Sequence, residues 1–208
     1  MDITIIGTGK MARGIGTLAA RGGNTVTVHG TEREKADELA RELGGSTKAG
    51  TVGDPIADEV VVPALWYPVT LEVGRRYADQ LEGKVVVDIS NPIDVDAFEP
   101  IVPDAGSGAE ELAAAAPGAK VVKAFNTTFA GTLSGGGEVG GQPLDVFIAS
   151  DDDGAKQTVA QLVESMGLRP VDAGPLRRAR QLEAMGYLHM GVQEPLGTGF
   201  GSTIKIVS

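Results

Sequence analysis

The sequence predicts an α/β fold, a Rossmann-like doubly wound and mainly parallel sheet with a small helical C-terminal extension. Three observations predict it. Short apolar runs recur along the chain, each bounded by glycine, proline or asparagine. The longest of them, EVVVPA and KVVVDI, lack polar alternation, as strands buried on both faces do. Between the runs lie stretches with helical apolar spacing, and strand–helix alternation is the mark of crossover connections over a parallel sheet.

The first element is Ile3, Thr4, Ile5 and Ile6, a β-prone run ending in glycine. Gly7-Thr8-Gly9-Lys10-Met11-Ala12 follows and matches G-x-G-x-x-A. In that motif the first glycine permits a tight turn and the second lets backbone approach a pyrophosphate. The small third residue lets the next helix pack close to the strand. That helix carries Met11, Ile15, Leu18 and Ala19 on one face. Its free N–H groups and positive dipole end would face a diphosphate. A second strand, Thr25 to Val28, completes the context that the motif requires, so the sequence predicts a dinucleotide site.

The end of the second strand selects the dinucleotide. NAD sites place an acid there for the ribose 2′-hydroxyl, whereas NADP sites supply cations. Here His29-Gly30 is followed by Thr31, Glu32, Arg33, Glu34 and Lys35. Thr31 offers a hydroxyl, Arg33 a forked guanidinium and Lys35 a point charge, all suited to a phosphate. The sequence therefore favours NADP. Thr31 and Glu34 also have the spacing of a capping box, and Glu32 would repel a 2′-phosphate or accept a 2′-hydroxyl. His29 reads as a strand-end packing residue.

Further along, residues 32–43 are predicted as a helix with Ala36, Leu39, Ala40 and Leu43 inward, and residues 46–51 as a short strand. The run 59–64 forms a strand leading into Leu65-Trp66, and residues 69–81 a helix. The run 84–89 is a strand delivering Ser90-Asn91-Pro92. Because ligands of such sheets lie beyond strand C-termini, Ala64, Leu65, Trp66, Asn91 and Pro92 are candidate site residues. Trp66 would wall a flat ring or pack at a helix start. Asn91 would bond a cofactor's ribose or carboxamide, or serve an Asn-Pro turn. A less regular stretch, 93–108, precedes an alanine-rich helix over 110–116. The run 120–125 is a strand delivering Asn126 and Thr127. Residues 131–141 hold six glycines and read as a flexible loop, or alternatively as a lid. A strand over 144–149, a helix capped by Asp151 to Asp153, a last strand over 168–172 and a final helix over 175–190 complete the chain. The tail would fold back over a pocket or serve a subunit contact. Residues 1–174 are predicted as the nucleotide-binding domain and 175–208 as an extension completing the substrate pocket.

Composition removes several classes of function. A net charge of −10 argues against nucleic acid or an anionic membrane as partner. No cysteine is present, which excludes disulfides and thiolate catalysis, and two histidines leave little material for a metal site or a serine triad. No apolar run approaches 18 residues, so a cytoplasmic location is expected. The chemistry must come largely from a bound cofactor.

Four blocks, GTGKMARG, VVVDISNPI, KVVKAFNTTFA and LRPVDAGPL, together resemble the NADP oxidoreductases dependent on the deazaflavin coenzyme F420. The same blocks are similar to the cytosolic domain of membrane metalloreductases, which pass hydride from NADPH to a flavin. The resemblance implies direct hydride transfer between nicotinamide C4 and deazaflavin C5, with no protein nucleophile, and a homodimer. It implies that Gly7, Thr8, Gly9, Lys10, Met11 and Ala12 hold the diphosphate and that Thr31, Arg33 and Lys35 receive the 2′-phosphate. Ala64, Leu65, Trp66 and Asn91 would approach the nicotinamide half, and Asn126 and Thr127 would lie between the two cofactors. FMN, FAD or a small imine or carbonyl is the alternative second substrate. A module that senses NADP(H) without turnover is the alternative from another class. Met11-Ala12 is also similar to the glycine turn of pyrroline-carboxylate and imine reductases, which carry a longer helical C-terminal domain.

Overall fold

The apolar runs fold into one eight-stranded sheet in the computed structural model, which describes residues 1–207. The first half of the chain contributes β1 (Asp2–Ile6), α1 (Lys10–Arg21), β2 (Thr25–Gly30), α2 (Arg33–Leu43) and β3 (Lys48–Thr51). It continues with β4 (Val60–Pro63), α3 (Tyr67–Arg76), α4 (Ala78–Leu81) and β5 (Val85–Asp88). Next come a short pair, β6 (Ile93–Asp94) and β7 (Glu99–Pro100), then α5 (Gly108–Ala115), β8 (Lys120–Lys123) and α6 (Ala130–Ser134). A second short pair, β9 (Glu138–Val139) and β10 (Gln142–Pro143), leads to β11 (Asp145–Ala149) and α7 (Asp153–Ser165). The chain ends with β12 (Arg169–Gly174), α8 (Ala179–Gly191), α9 (Gln193–Leu196) and an extended tail.

The sheet order is β12-β11-β8-β5-β4-β1-β2-β3. The strands from β3 to β8 in that order all pair in parallel. β11 runs the other way, meeting β8 at Ala149 and Lys123, and β12 lies parallel to β11. Alternate residues of each strand feed two cores, as the period of two dictates. Ile3, Ile5, Val26, Val62 and Val87 pack under α1, α2 and α7. Ile6, Val61, Val86 and Val121 pack under α3 and α5. Helices therefore cover both faces.

Four expectations need correction. The helix expected over 69–81 starts at Tyr67 and breaks at Tyr77, because Pro68 is well tolerated in a first helical turn. The final helix starts later than expected, at Ala179, after a single 3-10 turn over Leu176–Arg178. The stretch 93–108 contains the β6–β7 hairpin. The glycine-rich stretch 131–141 is no featureless loop: it forms most of α6 and half of the β9–β10 hairpin. Leu133 of α6 is fully buried, and a Cβ on Gly14 would stand 2.9 Å from its Cβ, so this glycine of α1 is what lets the two helices meet. Gly136, Gly137, Gly140 and Gly141 all take positive φ, so their glycines serve tight turns.

Candidate functional site

Strand order reverses at β1, which has β2 on one side and β4 on the other. In open α/β sheets the ligand crevice lies beyond the strand carboxyl ends at such a point. Gly7 stands there with a φ of 123°, and a Cβ on it would lie 2.7 Å from the Ala64 carbonyl oxygen. The fold itself requires glycine at this position. Gly9 is different: its φ is −78°, and a Cβ on it would meet nothing within 4 Å. Here the chain leaves open space. Gly9 is the N-cap of α1, which has no side-chain cap and no acid in its first turn. The first N–H groups of a helix have no partner within it, and its dipole favours an anion there. Lys10 is exposed beside this space, Met11 is half-buried and Ala12 is fully buried under the helix. The Thr8 methyl would touch a Cβ on Gly30 at 3.0 Å, so the turn abuts the end of β2.

At that end Thr31, Arg33 and Lys35 are exposed. The capping box expected from Thr31 and Glu34 does not form. Glu32 is the N-cap of α2 and no side chain caps it, so Thr31 sits one residue too early. Glu32 instead accepts a hydrogen bond from Lys35 Nζ at 2.6 Å, and Arg33 Nε donates to Asp37 Oδ1 at 3.0 Å. Such exposed pairs are worth little, so both cations remain available to a stronger anion. His29 is buried with its Nδ1 unpartnered, and its ring lies against Gly50. Burial lowers its pKa against the opposing pull of Asp54 and Asp58, so the imidazole is neutral.

Ala64 and Leu65 line the other wall of the turn, Leu65 Cδ2 lying 3.3 Å from where a Gly7 Cβ would be. Trp66 is 66% exposed at the N-cap of α3, so it does not pack at the helix start. Beyond β5 and β8 the structure joins two residues that are 35 positions apart. Asn91 Nδ2 donates to the Asn126 carbonyl oxygen at 2.9 Å, and Asn126 Nδ2 donates to Asn91 Oδ1 at 2.9 Å. Asn126 Nδ2 also donates to the Leu182 carbonyl of α8 at 2.8 Å. Its Oδ1 is buried without a partner. Pro92 is buried and its carbonyl accepts from Ile101 N–H at 2.8 Å. Phe125, fully buried, adopts a φ of 60°, a left-handed conformation that costs a non-glycine residue on the order of 1 kcal/mol. Thr128 closes that turn through its N–H and hydroxyl to the Phe125 carbonyl. Thr127 is buried, and its carbonyl accepts from His189 Nδ1 of α8 at 3.2 Å.

Beneath the asparagines lies a feature that sequence reading missed. Lys123, at the end of β8, is fully buried. Its Nζ donates to Asp88 Oδ2 at 2.8 Å, to Glu183 Oε1 of α8 at 2.6 Å and to the Ser90 carbonyl at 2.6 Å. Asp88 Oδ1 accepts from the Ser90 N–H and hydroxyl, and Glu183 accepts from the N–H groups of Gly108 and Ala109 at the start of α5. Burial works to lower the Lys123 pKa, but the two carboxylates outweigh it and hold the ammonium charged. Burial raises the Glu183 pKa, opposed by Lys123. The one available signal was a charged residue closing each of two apolar strand runs, VVVD and KVVK.

The tail closes the rim. Ser202 Oγ lies 2.9 Å from His189 Nε2, and Phe129 stacks on the His189 ring at 4.3 Å while meeting Phe200 edge-on. Buried Asp145 accepts from Arg169, from Lys205 Nζ at 3.0 Å and from Ile206 N–H at 2.9 Å. Burial would raise its pKa, yet these three partners bring it down to about 2.

The sheet, the switch point and the open glycine turn give the chain a Rossmann-type architecture with a candidate nucleotide site. Residues 2–92 match the family model described as NADP oxidoreductase coenzyme F420-dependent. The F420-dependent NADP reductase of Methanocaldococcus jannaschii is 29% identical, over 98% of each chain. Metalloreductase STEAP3 of Rattus norvegicus is 33% identical over 88% of this chain, which spans 36% of that longer relative. A candidate F420-dependent NADP reductase from Arthrobacter sp. FB24, known by crystal structure, superposes with a TM-score of 0.87 at 27% identity, over 99% of both chains. Among the described residues no helix is long and apolar enough to cross a membrane.

Proposed function

We propose that the protein transfers hydride directly between NADP(H) and coenzyme F420. The observation that carries this reading is the open space at Gly9, backed by free N–H groups of α1 and abutting the end of β2. A dinucleotide diphosphate fits that cradle by the chemistry of its donors. Gly7, Thr8, Gly9, Lys10, Met11 and Ala12 hold the diphosphate. Thr31, Arg33 and Lys35 receive the 2′-phosphate. Glu32, already paired with Lys35, repels it less than an isolated acid would. Ala64, Leu65, Trp66, Asn91 and Pro92 line the nicotinamide half, with the exposed indole available for stacking. Asn126 and Thr127 align the two rings. When bound, the dinucleotide would give or take the hydride, and the chain would supply orientation and the exclusion of water. Residues 1–174 form the nucleotide-binding unit and 175–208 the part that completes the pocket. The protein works as a cytoplasmic homodimer.

The likeness to a metalloreductase, over 88% of this chain, favours a flavin as the second acceptor to compare. Anaerobic absorbance with NADPH and coenzyme F420, beside matched trials with FMN and FAD, tests the reading. Bleaching of the deazaflavin band at catalytic protein concentration supports it. Bleaching of a flavin alone moves the assignment to a flavin reductase. NADPH binding with no bleaching of any acceptor leaves the sensing module.

A further inference from the structure

The contacts of α8 with the strand ends form a ladder, one rung on each successive turn. Glu183 meets Lys123, Gly186 lies against the paired asparagines, and His189 meets Thr127. Leu182 adds its carbonyl to Asn126. At Gly186 the fit is close: a Cβ there would stand 2.9 Å from Asn91 Oδ1, 3.0 Å from the Asn126 carbonyl and 3.1 Å from Asn126 Nδ2. Only a glycine lets this helix seat so near the pair. Both asparagine amides are oriented by what they touch. Asn126 Nδ2 faces two acceptors, so a flipped amide would set oxygen against oxygen.

We infer that Glu183 is a positioning residue: through Lys123 it seats α8 on the ends of β5 and β8, and so fixes the Asn91–Asn126 pair toward the nicotinamide half of the cofactor. The inference rests on the NADP(H) reading above. Glu183 is suited to this role because its carboxylate spans three elements at once. It takes the ammonium from β8 and two N–H groups from the start of α5, while standing on α8 itself. Lys123 keeps Asp88 and the Ser90 carbonyl when Glu183 is removed, so β5 and β8 stay joined while α8 loses its charged anchor. The asparagines then lose the surface against which their amides are set.

The test compares two ligands. NADPH touches both halves of the crevice, whereas 2′,5′-ADP carries only the adenosine half and the 2′-phosphate. A defect in folding weakens both, but a displaced asparagine pair weakens NADPH alone. Wild-type protein and the Glu183→Met, Glu183→Gln and Gly186→Ala variants are titrated with each ligand, and thermal melts confirm folding. Glu183→Met is expected to bind NADPH about tenfold more weakly while holding 2′,5′-ADP within about twofold, the scale of one or two lost hydrogen bonds. Glu183→Gln, which keeps an acceptor for Lys123, should recover most of that loss. Gly186→Ala favours the helix by propensity yet pushes on the pair, and should show the same selective loss. If Glu183→Met does not fold, Gly186→Ala decides. An unchanged ratio of the two affinities in Glu183→Met, or in Gly186→Ala where Glu183→Met does not fold, overturns the inference. Wild-type protein that binds neither ligand overturns the NADP(H) reading instead.

Discussion

On the side of β2 the charged residues of the crevice are exposed and pair with near neighbours in sequence, Arg33 with Asp37 and Lys35 with Glu32. On the side of β5 and β8 they are buried and pair across the chain, Lys123 with Asp88 and with Glu183 60 positions away. Water screens the first set, so each pair contributes little to stability and is free to exchange a partner for a ligand. The second set has no such freedom. Removing one member leaves the others uncompensated in a region of low dielectric. One rim of the crevice is therefore adjustable at almost no expense to the fold, while the other binds fold and site together.

Substitutions can break or sharpen this contrast. The largest effect is expected from Lys123→Ala, which strands two buried carboxylates and should lower unfolding stability by about 3–5 kcal/mol. Chemical denaturation measures it, and a loss below about 1 kcal/mol would contradict the buried cluster. Gly9→Val should leave the melting temperature nearly unchanged, since no protein atom lies within 4 Å of its Cβ, yet cost about a hundredfold or more in NADPH affinity. Retained affinity would remove the glycine turn from the binding site. Arg33→Ala should cost about 1–3 kcal/mol in NADPH binding, barely alter NADH binding and leave stability unchanged. Equal losses for both dinucleotides would contradict its assigned partner. The smallest effect concerns acid. The Asp145 pKa is lowered to about 2 in the folded protein, so its contribution to stability is complete above its unfolded value and is lost as pH falls toward 2. Wild-type protein should therefore lose more stability than Asp145→Asn between about pH 5 and about pH 2. Parallel curves for the two would show that the tail anchor carries no net charge effect.

The same contrast explains what could be read from sequence. The strand–turn–helix at 2–21 is local, and each of its parts is signalled within a few residues. The strands β1 to β5 and β8 are continuous enough to identify by composition alone. Nothing local, however, marks Asp88 and Lys123 as partners, or pairs Asn91 with Asn126, because each contact is created when β5 and β8 come to lie side by side. Glu183 belongs to a helix whose apolar spacing says nothing about which charged residue turns inward. The stretch 131–141 misled for another reason. Glycine there serves positive φ in tight turns, not looseness, and the burial of Leu133 depends on Gly14 far upstream.

The reversed direction of β11 has a practical use. Ala149 pairs with Lys123, and β11 runs antiparallel to β8 with Asp145 at its start. The tail is pinned there through Lys205 and Ile206, while Val207 is 84% exposed. A fluorophore attached at Val207 would thus hang from a fixed tether at the start of β11. Its anisotropy would report in real time whether the tail stays docked on β11, without modifying any residue of the interior.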